Sequence, residues 1–417
     1  MDATTQHTGF AFPETTPEVH NPVFAAPDWR ATMTTYSLNE EQRQIQDMVR
    51  RLAREKIASR ADQIDRSAEY PQDMFDLLRE VGLFTIPFPK EYGGTDSMLS
   101  AAVAIEELGR VCYNTAYLLV VQWVPFGAIL AAGSDEQKRR LLGPLAAGEM
   151  RGAFSTTEPQ SGSDVAGIRT RARRCEGGYR ISGSKIWCTN SPVADFVLVA
   201  AKTGDGDGAR AINLFIVERG TPGFTIGRKE DKMGARGVPS CPLFLDDVFV
   251  PEANRIGEDG RGFKDVMEAF NKSRPLIGAR GVGLAQGAID HSIEFVSNRV
   301  TWGRKVSENQ GIRWMLADMA VQTEAARQLV YRAASVVDSG VSGIELAPIA
   351  AMAKCFATDT AMRVATDAVQ LFGAAGISND TPINRYFRDA KVLQIIEGTN
   401  QIQRNIIGDS LLGRAAR

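Results

Sequence analysis

Polar and apolar positions change rhythm twice along the chain. Between residues 37 and 150 they step as helices punctuated by Gly and Pro. Ser37-Leu-Asn-Glu40 reads as a capping box that opens the first helix, the serine oxygen accepting from the N3 amide while Glu40 reaches back. From Arg151 the texture turns to short β-branched or alternating runs, such as Tyr179-Arg-Ile-Ser and Phe196-Val-Leu-Val-Ala, divided by Gly-rich turns. These runs predict an antiparallel β domain ending near Pro251. After Gly262 helical stepping returns: Leu316, Met319, Ala320, Thr323, Ala326, Val330, Ala333 and Val337 share one face, and Asp338-Ser-Gly340 supplies a C-cap. The expected organisation is a flexible or surface-draped tail over residues 1–36, a helical domain over 37–150, a β domain over 151–255 and a second helical domain over 256–417.

Val111 to Ser134 carries no charge and is long enough on paper to cross a bilayer. Pro125 and Gly127 interrupt it, so it predicts two shorter buried helices of a soluble domain instead of a span. The first 30 residues lack a basic start followed by an apolar stretch, which argues against a signal peptide.

Composition narrows the function classes. With 417 residues the chain exceeds one growing core, and at 44% hydrophobic, 24% charged and net charge -2 it offers no basic field to hold nucleic acid. Cys112, Cys175, Cys188, Cys241 and Cys355 are odd in number and form no C-x-x-C pair, which fits a reducing cytoplasm. Of the three histidines only His291 lies in a structured stretch, so a His-based metal site or a Ser-His-Asp triad is not expected.

Several motif-like stretches carry no chemistry. Gly281-Val-Gly283 with Gly287 sits inside a helical stretch with no strand before it, and reads as small residues for close helix packing. Ser182-Gly-Ser-Lys185 matches S-x-x-K, but in a strand those two side chains point to opposite faces. The run Arg169-Thr-Arg-Ala-Arg-Arg174 reads as a solvated strand edge whose positive field would also suit an anion such as a CoA phosphate.

Three separated segments need a joint explanation: Phe154-Ser-Thr-Thr-Glu-Pro-Gln-Ser-Gly-Ser-Asp164, Gly183-Ser-Lys-Ile-Trp-Cys-Thr-Asn190 and Ile396-Glu-Gly-Thr-Asn-Gln-Ile-Gln-Arg404. In this order and spacing, with Phe270-Asn-Lys-Ser-Arg-Pro275, Arg299-Val-Thr-Trp-Gly303, Gln310 and Gln370-Leu-Phe-Gly-Ala-Ala-Gly376, they resemble the acyl-CoA dehydrogenase family over nearly all of residues 37–417. The resemblance implies an α+β fold: an N-terminal α-helical domain, a middle antiparallel β-barrel or sandwich domain, and a C-terminal four-helix-bundle domain. It also implies FAD, an acyl-CoA substrate in fatty acid metabolism, an electron-transfer flavoprotein as acceptor and a homotetramer.

The reaction so implied removes the weakly acidic α-proton of an acyl thioester and passes the β-hydride to flavin N5, giving the trans-2-enoyl thioester. A carboxylate serves as base if a dry pocket raises its pKa, and the developing enolate oxygen needs positioned donors. By resemblance Glu397 is the base, its own N–H and a flavin ribityl hydroxyl are the donors, and Gly398 lets the backbone approach the thioester. Some relatives place the base at the position of Ser273, where serine cannot serve alone. Phe154, Thr156 and Thr157 correspond to the isoalloxazine edge, and Trp187 and Thr189 to the residues covering the ring. Arg299, Thr301, Gln310, Gln370, Gly373, Ala374, Thr399 and Gln401 correspond to contacts with the rest of FAD, several of them reaching a neighbouring subunit. Ser163 corresponds to a pantetheine contact beside the cofactor, and Asn271 and Arg274 to contacts with CoA.

Trp302, Ala374, Asn271 and Ile396 depart from the family pattern. Trp123 and Phe126 are candidates for limiting pocket depth. No arginine or lysine lies between Arg110 and Lys138, which disfavours a dicarboxylyl substrate held from that segment, although another segment can supply the charge. The alternatives left open are a relative acting on a carrier-protein or specialised thioester and a catalytically silent flavoprotein subunit.

Overall fold

A computed structural model of the chain describes residues 38–204 and 208–413. The tail reading and Ser37 fall outside them. The first helix, α1 (Glu40–Leu52), is capped by Asn39: its Oδ1 accepts from the Gln42 N–H while the Gln42 side chain accepts from the Asn39 N–H, both at 2.9 Å. The capping box therefore lies two residues beyond the Ser37 register, because asparagine caps as well as serine and Gln42 supplies the reciprocal acceptor. A π turn and a 3-10 turn lead into α2 (Ala61–Ser67), followed by α3 (Gln72–Glu80), α4 (Met98–Gly109), α5 (Tyr113–Ala132) and α6 (Asp135–Ala146).

Helix α5 corrects the expectation of two short helices. It runs unbroken through Pro125, is buried over most of its length, and by length and composition alone would pass for a membrane span. Proline removes one donor, but packing compensates: a Cβ on Gly152 would stand 2.8 Å from the Pro125 ring, so Gly152 lets the first strand close over it.

Eight strands follow: β1 (Gly152–Ser155), β2 (Arg171–Cys175), β3 (Gly178–Thr189), β4 (Phe196–Thr203), β5 (Ile212–Glu218), β6 (Phe224–Ile226), β7 (Ser240–Pro251) and β8 (Arg255–Ile256). The path β6-β7-β3-β2-β4-β5-β8 is joined by β1 on β4. The sheet is mixed, since β1 and β2 both run parallel to β4 while the other pairs are antiparallel. Alternation along a strand reports which face is buried but not the direction of its neighbour, so the wholly antiparallel expectation could not have been checked from the sequence.

Beyond the sheet come α7 (Gly262–Asn298), a hairpin of β9 (Val300–Thr301) and β10 (Arg304–Lys305), α8 (Gln310–Asp338), α9 (Gly343–Phe372), α10 (Ile383–Leu393) and α11 (Asn400–Leu411). Helices α7, α8 and α9 pack on one another, and α10 and α11 close against α9. The glycines of α7 permit this approach: a Cβ on Gly283 would meet the Glu106 carbonyl oxygen of α4 at 2.2 Å, and one on Gly281 the Ala357 carbonyl oxygen of α9 at 3.1 Å. The end of α8 caps the start of α4, with Asp338 accepting from the Ser97 hydroxyl at 2.9 Å and the Leu99 N–H at 3.1 Å. The middle of α7 thus packs against helices of both helical regions.

Candidate active site

The turn between α10 and α11 carries Glu397 and Gly398, at φ +55° and +83°. Two successive residues in the left-handed region, one of them a glutamate, persist only where the surroundings hold them. Here the holding groups come from three helices. The Glu397 carbonyl accepts from Arg274 Nε of α7 at 3.4 Å and from Gln403 Nε2 of α11 at 3.2 Å. The Gly398 carbonyl accepts from Gln403 Nε2 and from Lys354 Nζ of α9, both at 2.9 Å. Lys354 is fully buried and bonds Asn400 Oδ1 at 2.8 Å; burial pulls its ammonium down to about 7 against the charge of Glu397. Thr399 is the N-cap of α11, accepting from the Ile402 N–H at 3.3 Å.

The Glu397 side chain points to α7, where Ser273 Oγ lies 3.1 Å from its Oε2. Burial raises the carboxyl pKa, while the Ser273 hydroxyl and then Arg274, Arg280 and Lys354 act to lower it. Ser273, the position at which some relatives carry the base, is therefore a direct neighbour of the Glu397 carboxyl. Replacing Ser273 by alanine should move the pH midpoint of substrate-driven flavin reduction upward by roughly one to two units, the worth of one hydrogen bond to the ionised form. A stopped-flow pH series measures it, and an unchanged midpoint would remove Ser273 from the tuning of the base.

Asn271 accepts from Arg274 Nη1 at 2.6 Å. Arg274 is 3% exposed, and its donors turn inward, to Asn271 and the Glu397 carbonyl, with burial pushing its pKa down to about 10. Arg274 thus holds the turn at Glu397, and Asn271 holds Arg274.

The sheet supplies the opposite wall. Phe154 of β1 meets Phe270 of α7 edge-on, ring centres 5.6 Å apart, one turn before Ser273. The loop after β1 is fastened to β3: the Ile186 N–H donates to the Thr157 carbonyl at 2.9 Å, and Lys185 Nζ to the Thr156 carbonyl at 3.2 Å. Lys185 also forms a buried ion pair with Glu158 at 2.7 Å. The Glu158 carboxylate further accepts from the Arg169 and Thr170 N–H groups at 2.6 and 3.0 Å and from the Thr170 hydroxyl at 2.6 Å. Burial alone would raise its pKa, but Lys185 and these donors hold it at about 2. The register of β3 against β7 slips between Lys185 and Cys188, leaving Trp187 at φ +59° with its indole 52% exposed, while Thr189 Oγ1 lies 3.1 Å from Ser240 Oγ. Ser163 lies exposed in the same loop.

A second set lies at the surface. Arg299, Gln310, Gln370, Gly373, Ala374 and Gln401 are exposed and Thr301 partly so. Phe295 and Phe372 stack at 4.2 Å, which brings the end of α7, carrying Arg299, to the end of α9, carrying Gln370. Sequence reasoning missed Lys185, Lys354, Gln403 and Arg280. A lone arginine among the small and apolar residues Leu276 to Leu284 was the one available signal for the last.

Hydroxyls at 156, 157 and 189, an indole held half-open by a strained backbone and exposed guanidinium and amide donors suit a flavin with a pyrophosphate tail. Among the described residues no cluster of acidic, histidine or cysteine side chains suits a metal. Family profiles decide the matter: the acyl-CoA dehydrogenase N-terminal domain matches residues 39–149, the middle domain 153–248 and the C-terminal domain 260–412. The chain belongs to the acyl-CoA dehydrogenase family. An acyl-CoA dehydrogenase of Bacillus subtilis is 42% identical over 379 residues, 90% of this chain and 99% of that one. Butyryl-CoA dehydrogenase from Megasphaera elsdenii superposes with a TM-score of 0.88 at 37% identity, covering 91% of this chain and all of that one. PigA, solved with FAD and proline, gives a TM-score of 0.86 at 27% identity over 91% of this chain and 99% of its own. This acyl-CoA dehydrogenase is an FAD-dependent oxidoreductase, with the helical, sheet and helical domains that its sequence predicted.

Proposed function

We propose that this acyl-CoA dehydrogenase oxidises the α,β-bond of an acyl-CoA thioester, with Glu397 taking the α-proton. FAD, when bound, would supply the acceptor for the β-hydride, and an electron-transfer flavoprotein is the proposed onward acceptor. The observation that carries the assignment is the desolvated Glu397 carboxyl on a clamped, strained turn that faces α7. A carboxyl with a raised pKa is a stronger base once ionised, and a fixed turn loses little freedom in reaching its proton.

The same turn offers a donor. Among the described residues nothing accepts from the Glu397 N–H, while the carbonyls of Glu397 and Gly398 are both engaged. The next two peptides are therefore held in place, and the Glu397 N–H before them is free to receive the thioester oxygen as negative charge grows on it. Gly398 adds no side chain to the approach. Arg274, Gln403 and Lys354 act through the backbone that they hold. The wall of Phe154, Thr156, Thr157, Trp187 and Thr189 is proposed to hold the isoalloxazine, and the exposed set from Arg299 to Gln401 the remainder of FAD. Trp302, 95% exposed beside that set, fits a contact with a further copy of the chain in a homotetramer.

Anaerobic mixing of the FAD-loaded protein with straight, branched and cyclic acyl-CoAs tests the reading. Bleaching of the flavin by at least one thioester is expected, and a flavin that stays oxidised with all of them would remove acyl-CoA oxidation as the activity.

A further inference from the structure

Arg280 lies on α7 seven residues after Ser273, two turns or about 10 Å further along the same face. It is fully buried, and none of its three guanidinium nitrogens has a hydrogen-bond partner among the described residues. Its neighbours are two rings of α5: the guanidinium carbon lies 4.5 Å from the ring centre of Tyr113 and 3.9 Å from that of Tyr117. Aromatic faces return part of the cost of burying a cation but less than a carboxylate would.

The surroundings are short of negative charge. Three cations, Arg274, Arg280 and Lys354, act on the Glu397 carboxyl. The bonds of Arg274 and Lys354 go to carbonyl and amide oxygens. Asp389, the acid that Tyr113 senses, accepts from the Ala235 N–H at 2.7 Å. Tyr117 links this cation to the reacting centre: burial raises its hydroxyl pKa, Arg280 and Thr189 lower it, and the Glu397 charge raises it. The Arg280 guanidinium against its ring makes the Tyr117 hydroxyl a stronger donor. The Tyr113 hydroxyl, four residues earlier on the same helix, is buried and has no partner among the described residues.

We propose that Tyr117, backed by Arg280, forms an anion-selective end to the acyl pocket, and that the acyl chain of the preferred substrate carries a carboxylate. Tyr117 donates to that carboxylate. Arg280 stays covered and acts as a positioning residue through the Tyr117 ring and its field. This inference rests on the acyl-CoA reading above and names its substrate class. It also answers the absence of a basic residue between Arg110 and Lys138, since the charge arrives from α7.

The test uses the FAD-loaded enzyme and matched pairs, pentanoyl-CoA against glutaryl-CoA and hexanoyl-CoA against adipyl-CoA. Flavin reduction rate over Kd is expected to favour the carboxylate-ended member by at least about 10-fold, and Tyr117→Phe and Arg280→Met each to cut that preference by about 10- to 100-fold, the worth of a hydrogen bond to a charged group. A wild-type preference for the methyl-ended member of both pairs overturns the proposal. So does an equal loss on both members with a shifted pH midpoint, which would make Arg280 a tuner of Glu397 alone. Tyr117→Phe removes only a hydroxyl, so it answers even if Arg280→Met does not fold. If no member reduces the flavin, the straight, branched and cyclic panel above decides the acyl-CoA reading, and ligand-induced Tm shifts decide the anion site: a larger shift with the carboxylate-ended thioester supports it, and equal shifts overturn it.

Discussion

Replacing Glu397 by glutamine is expected to slow flavin reduction by a good acyl-CoA substrate by about 100- to 10,000-fold, the range over which a positioned base contributes. Glutamine keeps the size of the side chain and can still pair with Ser273, now 3.1 Å from Oε2, but it cannot take a proton. The backbone clamps from Arg274, Gln403 and Lys354 reach carbonyl oxygens, so the turn and its free N–H should survive the change. The variant should accordingly retain FAD and bind the thioester, visible as a perturbed flavin spectrum without bleaching. Reduction at the original rate would assign the base to another group; loss of FAD together with activity would mean that the residue acts on the fold.

The second large effect lies in the sheet. Changing Lys185 to methionine is expected to lower stability by about 3–5 kcal/mol, because it leaves the Glu158 carboxylate buried without its cation. Urea unfolding of both proteins measures this, and a loss below about 1 kcal/mol would show that the backbone N–H and hydroxyl donors suffice for Glu158. Replacing both partners, Glu158→Gln with Lys185→Met, should recover part of the loss. The pH dependence follows from the depressed carboxyl. Glu158 stands at about 2 in the folded protein against 4.5 for an ordinary glutamate, so its stabilisation is complete above about 4.5 and is lost as pH falls toward 2. In the Lys185→Met protein the stability curve between those limits should flatten. Because the same lysine holds the Thr156 carbonyl, FAD retention should weaken with it.

The charge pattern around the base gives the two substrate-facing tests different reach. In the proposed mechanism Glu397 governs loss of the α-proton, whereas Tyr117 and Arg280 govern which acyl chain is bound when it leaves. The two helices involved are joined where α5 and α7 pack, so pocket chemistry and core packing share residues. An arginine placed there for stability alone would be a poor choice, since an apolar side chain would fill the same space without a desolvation cost.

Much of this was legible in the chain itself. The switch from period 3.6 to short alternating strands and back separated the helical and sheet regions, because burial periodicity is a local property of the backbone. The three spaced segments led to the family, to FAD and to Glu397. Other features depended on distant parts of the chain meeting. Pro125 was read as a break, yet α5 continues, because Gly152 admits its ring. The parallel placement of β1 and β2 on β4 was invisible, since strand direction is set by the connections and not by the alternation. Ser182 and Lys185 share a strand as expected, but only the fold shows that Lys185 pairs with Glu158, 27 residues away. The left-handed turn at Glu397 and Gly398 is held by side chains from α7, α9 and α11, and no local signal announces a clamp of that kind. Residue types and local periodicity determined what this protein is made of and which carboxylate could act. Tertiary structure alone decided the surroundings that set its basicity and left Arg280 without a hydrogen-bond partner among the described residues, because desolvation and charge pairing depend on which distant groups the fold brings within a few ångströms.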